Sequence, residues 1–185
     1  MQYKLGDLLP NVDATVFVAP GAHVIGDVTI GAHSGVWFNT VIRGDEGPIQ
    51  IGSYVNIQDG SMVHQYEGSP TIIHDRVSIG HMAMIHGCEI EEGCLIGMHA
   101  TVLDGAKVGK GSFVAAGALV TPNMQIPEGV MVMGVPAKVV RPLNDEDRFI
   151  MERTVNKYAK RAEQYLTTCE PIKRKESLRK RLQDS

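Results

Sequence analysis

The chain has 185 residues, 43% of them hydrophobic but only 5% aromatic, with a formal net charge of −3 and a pI near 6.1. Length and apolar content suffice for one main domain with a buried core, and the slight acidity argues against nucleic acid or an anionic membrane as the principal partner. No apolar run approaches the ~20 residues of a membrane span and the N-terminus carries no basic-then-apolar leader pattern, so a cytoplasmic protein is expected.

Residues 1–17 read as a lead-in to a repeat. From Val18 through Val24, Ile30, Val36 and Ile42 an aliphatic residue returns at every sixth position. The count resumes at Ile51, Ile57 and Val63 after a three-residue slip, and at Ile73, Ile79 and Ile85 after a four-residue loop. One five-residue step then leads to Ile90, Ile96, Val102, Val108, Val114 and Val120. Neither a helical period nor long two-residue alternation explains this spacing. Short strands joined by tight turns do, each turning one apolar residue inward. The spacing predicts a mainly β protein, a parallel solenoid of triangular coils over residues 18–140, in which residues about eighteen apart stack roughly 4.8 Å from one another. Narrow coils of this kind are filled by Val, Ile and Ala, which accounts for the scarcity of aromatic residues.

Gly134-Val135-Pro136-Ala137-Lys138 marks the exit from the solenoid. Asn144, followed by Asp145, Glu146 and Asp147, reads as an N-cap with an acidic first turn. Met151, Val155, Tyr158, Ala162 and Tyr165 keep helical spacing, which predicts a helix within residues 141–167 packed on the outside of the solenoid. Residues 168–185 form a basic tail, carrying Lys173, Arg174, Lys175, Arg179, Lys180 and Arg181, expected to be solvated. Cys88, Cys94 and Cys169 form no Cys-x-x-Cys pair and read as reduced thiols.

Register turns the repeat into a map of side-chain direction. Counting places Ile42, Val63, Ile85 and Val102 on one face, and Ile57, Ile79 and Ile96 on the preceding one. Arg43, His64 and His86 each follow a core residue of the first face by one, and so form one outward column. Asp59 and His81 lie two positions after core residues of the preceding face and form a second column on another side of the triangle. Stacked His64 and His86 can share an ion with Zn–N bonds of about 2.0–2.1 Å. His81 is turned elsewhere, and reaches such an ion only if another copy presents it, as a cyclic homotrimer does three times over. The lone outward histidines His23, His33, His74 and His99 read as ordinary surface residues.

Arg43-Gly44-Asp45-Glu46-Gly47, Asn56-Ile57-Gln58-Asp59-Gly60 with His64 soon after, Gly80-His81, and His86-Gly87-Cys88 together resemble the γ-class carbonic anhydrases. The similarity runs from about residue 10 to 166. It implies a left-handed parallel β-helix of hexapeptide repeats with a C-terminal α-helix, assembled as a homotrimer with interfacial metal sites. It further implies that His64, His81 and His86 bind Zn²⁺, or Fe²⁺ or Co²⁺ in some members. A metal-bound hydroxide would then hydrate CO₂ reversibly to bicarbonate and a proton. On the same resemblance, Gln58 lies near the bound hydroxide with Asn56 assisting, and Arg43, Asp45 and Asp59 serve an interfacial ion-pair network. Glu46 and Glu67 are the candidate proton carriers, and Tyr158 lies near the metal. Two alternatives remain open at this stage. One is acyl transfer or acyl-CoA thioester hydrolysis on the same repeat; the other is a non-catalytic assembly module.

Overall fold

The computed structural model describes residues 1–172; the basic cluster from Lys173 to Arg181 lies outside the described residues. A solenoid of about seven turns is followed by one helix. Its strands are mostly two or three residues long and stack in parallel from coil to coil. The aliphatic columns of the repeat are the core: Val63, Ile85, Val102 and Val120 of one column are fully buried, as are Ile79 and Ile96 of another. Each such side chain contributes about 1.5–3 kcal/mol by leaving water, which makes the six-residue step the main determinant of register.

The backbone follows the counted register. Ile42 pairs with Val63, Val63 with Ile85, and Ile85 with Val102. On the preceding face Ile57 pairs with Ile79, and Ile79 with Ile96. Corners are tight enough to demand glycine where coils nearly touch. A Cβ on Gly80 would fall 2.6 Å from the Met98 nitrogen and 2.8 Å from the Gly97 carbonyl carbon, backbone atoms that cannot step aside.

Two regions are built differently from the expectation. Residues 1–17 are not merely a lead-in, because Gln2–Tyr3 and Asn11–Val12 pair in parallel with the long His23–Ile30 strand, and Phe17–Val18 begins the next face. The exit turn Gly134 to Ala137 is the tip of a hairpin: Lys138–Pro142 runs antiparallel to Val130–Met133. The chain then enters the helix Asp145–Thr168 through a capping box. Asn144 Oδ1 accepts the Asp147 N–H at 2.9 Å, and an Asp147 carboxylate oxygen accepts the Asn144 N–H at 2.9 Å. Arg141 clamps the same carboxylate with two bonds of 2.5 and 3.0 Å. Met151, Val155 and Ala162 are buried, and the rings of Tyr158 and Tyr165 meet Trp37 edge-on at 5.2 Å each. The helix therefore lies on the face that ends in Asp59 and His81. No helix among the described residues is long and apolar enough to cross a membrane.

Candidate metal centre

All three departures from the six-residue step fall at one corner. They lie between Ile42 and Ile51, between Val63 and Ile73, and between Ile85 and Ile90, in three successive coils. The first two add residues that the packed core cannot absorb, so they bulge outward beside the histidine column, whereas the third is one residue short. The first bulge carries Asp45 and Glu46; the second is the loop Gln65 to Ser69, closed by the Ser69 N–H bonding the Tyr66 carbonyl at 3.0 Å. Buried Gln65 ties the two together by donating from Nε2 to the Gly47 carbonyl at 2.6 Å.

His64 and His86 stack as register requires. His64 Nδ1 and His86 Nε2 stand 3.1 Å apart, close to the roughly 3.3 Å that two nitrogens keep around a tetrahedral ion at 2.0–2.1 Å. Their other ring nitrogens are each met by a carboxylate: Asp45 Oδ1 lies 2.9 Å from His64 Nε2, and Asp104 Oδ1 contacts His86 Nδ1. His81 sits on the adjoining side, with Asp59 Oδ2 3.0 Å from Nδ1 and the Tyr158 hydroxyl 3.4 Å from Nε2. A carboxylate behind each imidazole is the outer shell that metal-ligating histidines use to fix ring and tautomer. Among the described residues, no three His, Cys, Asp or Glu of one chain converge on a point that could hold an ion. The donor set of a single chain is a histidine pair, spaced as two ligands of one ion would be, plus a third histidine facing elsewhere.

The surroundings sort the remaining candidates. Gln58 and Asn56 are buried and joined, Gln58 Nε2 donating to Asn56 Oδ1 at 2.9 Å while Asn56 Nδ2 donates to Ser78 Oγ at 2.7 Å. Arg43 pairs with Asp45 within the chain. Burial raises the Asp45 carboxyl, but hydrogen bonds from His64, its own backbone and Arg43 outweigh this and leave it below the ordinary carboxylate value. Tyr158 is shifted the other way: burial pushes its phenol up, the nearby Asp59 charge adds to this, and Arg161 opposes it. Glu46 and Glu67 are exposed on the two bulges. Sequence reasoning missed two neighbours, Asp104 and Tyr66, whose ring lies 6.3 Å from that of His86 and within 22° of parallel.

The repeat and the solenoid define a hexapeptide-repeat protein. The family described as "Bacterial transferase hexapeptide (six repeats)" matches residues 87–122. The fold is its left-handed parallel β-helix. The chain is 46% identical over 163 residues to the mitochondrial gamma carbonic anhydrase 1 of Arabidopsis thaliana, covering 85% of this chain and 59% of that protein. It is 42% identical over 165 residues to a carbonic anhydrase of Geobacillus kaustophilus, covering 89% and 91%. A solved Bacillus cereus structure carrying a provisional acetyltransferase description superposes with a TM-score of 0.88 at 41% identity, over 89% of this chain and 96% of that one. The chain spans under two thirds of the length of the plant relatives it matches. It belongs to the γ-class carbonic anhydrase family.

Proposed function

We propose that the protein catalyses the reversible hydration of CO₂ to bicarbonate and a proton at a metal shared between copies of the chain. The observation that carries the reading is the set of three carboxylate-backed imidazoles, two of them converging at 3.1 Å and the third facing away. In this reading a cyclic trimer joins the His64–His86 column of one copy to His81 of its neighbour, three times over. Three neutral imidazoles and one open position suit Zn²⁺, with Fe²⁺ or Co²⁺ as alternatives, and such an ion supplies a water acidified to about pKa 7. Asp45 and Asp59 hold the imidazole N–H groups of His64 and His81. Arg43 and Asp59 lie on different columns of one chain, which suits a pair formed across the interface. The linked amides of Gln58 and Asn56 orient the attacking oxygen, and the Tyr158 hydroxyl braces His81. Hydration releases one proton for each bicarbonate, and the exposed carboxylates of Glu46 and Glu67 can carry it to buffer. The three unpaired cysteines suit a cytoplasmic location.

Acyl transfer is the alternative that the hexapeptide relatives raise; it needs one carboxylate-oriented imidazole as a general base and leaves the close approach of His64 to His86 without a use. Anaerobic purification, metal analysis and stopped-flow CO₂ hydration on the Zn- and Fe-loaded protein decide between them. The expected result is about one metal per chain, with a rate that rises as pH passes through about 7 and is lost on chelation. Metal-free protein with acyl-CoA turnover would refute the proposal.

A further inference from the structure

Asp45 and Asp59 belong to the motifs that carry the family resemblance; Asp104, the carboxylate behind His86, belongs to neither. It comes from the next coil, where Ile85 pairs with Val102. Its placement depends on Gly87: a Cβ there would lie 2.3 Å from Asp104 Oδ1, so the missing side chain is the space the carboxylate fills. The same device recurs at this solenoid's corners. A Cβ on Gly52 would lie 2.2 Å from Asp75 Oδ1, and one on Gly105 would lie 2.3 Å from Asn123 Oδ1. Elsewhere the perch serves the backbone, as where Asp75 Oδ1 accepts the Ser53 N–H at 2.7 Å. Asp104 instead turns its Oδ1 to His86 Nδ1, while His86 Nε2 faces His64.

We propose that Asp104 is a positioning residue for the metal centre: by accepting the Nδ1–H of His86 it fixes the tautomer and ring orientation that leave the Nε2 lone pair facing His64. The proposal rests on the reading of His86 as a metal ligand. A neutral imidazole has one N–H and one lone pair, and a carboxylate can only accept. Holding the N–H on Nδ1 therefore commits the lone pair to Nε2, and the negative charge behind the ring makes that nitrogen a stronger donor. Without it, metal binding must itself select the tautomer and arrest the ring.

The test is zinc affinity, measured by competition with a chromogenic chelator, together with the visible spectrum of the Co²⁺-saturated protein. Wild type, Asp104→Ala, Asp104→Asn, Asp75→Ala and His86→Ala are compared. Asp104→Ala should bind zinc about 10–100-fold more weakly and shift the Co²⁺ bands. Asp104→Asn should lose less, because its amide oxygen still accepts the bond without the charge. Asp75→Ala removes the same corner device away from the centre and should keep wild-type affinity and spectrum. The proposal is overturned if Asp104→Ala matches wild type in both readouts, or if Asp75→Ala loses affinity equally, which would mark a general corner effect. Should Asp104→Ala fail to fold, Asp104→Asn decides alone, and wild-type affinity with an unshifted spectrum overturns it. Failure of the underlying metal reading looks different: His86→Ala would then bind zinc as wild type does, and the role of Asp104 falls with it.

Discussion

Mixing two inactive variants gives the sharpest test of a shared site, because the expected recovery is a number. His64 and His86 stack in one column, while His81 stands on another side of the same chain with its own partners, Asp59 and Tyr158. A His81→Ala chain keeps an intact column; a His64→Ala chain keeps an intact His81. In a cyclic trimer each interface joins one column to one His81, and only the order of an intact column against an intact His81 completes a site. Random co-refolding at equal amounts makes about three quarters of the trimers mixed, each with one complete site of three, so metal occupancy and hydration activity should return to about one quarter of wild type. A mixture of His64→Ala with His86→Ala should recover nothing, since both lesions lie in the same column. Composition is checked by native mass spectrometry and occupancy by metal analysis on the purified mixture. Verified mixed trimers with background metal would refute the geometry, and so would recovery in the same-column mixture.

Burial pushes the Cys88 and Cys94 thiols up to about 12, so at pH 8 only about one in ten thousand is thiolate, the form that attacks alkylating reagents. Native protein should therefore take one iodoacetamide adduct, at exposed Cys169, and three after denaturation; mass spectrometry showing rapid native labelling of Cys88 would contradict this. Ile85→Ala empties a fully buried position beneath His86 and should cost about 2–5 kcal/mol in urea unfolding of the metal-free protein, with a loss under about 1 kcal/mol counting against the packing account. Gly80→Ala forces a Cβ against the Gly97–Met98 backbone beside His81 and should lower both Tm and metal occupancy; an unchanged melting curve would show that the corner can yield.

The parts of the site that register controls were legible in the sequence. Once Val63 and Ile85 are known to share an inward column, the outward stacking of His64 and His86 follows, and the same count sets Asp59 against His81. The bulges escaped because they break the count: nothing in a six-residue repeat says how Gln65 to Ser69 folds, so the Tyr66 ring beside His86 could not be placed. Asp104 was missed for a subtler reason. It stands two residues past its core residue whereas His86 stands one past, and their contact crosses between coils through the space left by Gly87. The strand Gln2–Tyr3 was silent because it brings no aliphatic residue to the six-residue step, whereas Val12, six residues before Val18 and paired with Ile30, was on the step and could have been read as its first member.

The hairpin after the last coil has a consequence for how copies can meet. A stack of parallel coils ends in a row of unpaired N–H and C=O groups, which is a template for cross-β fibre growth by end-to-end addition. Here Lys138–Pro142 covers one face of that end while running the opposite way, with a break in register at Met131 and Val132. A reversed strand cannot seed another parallel coil, Pro142 offers no N–H, and Lys138 and Arg141 bring charge to the rim. Polymerisation along the axis by strand addition is thus disfavoured at that face.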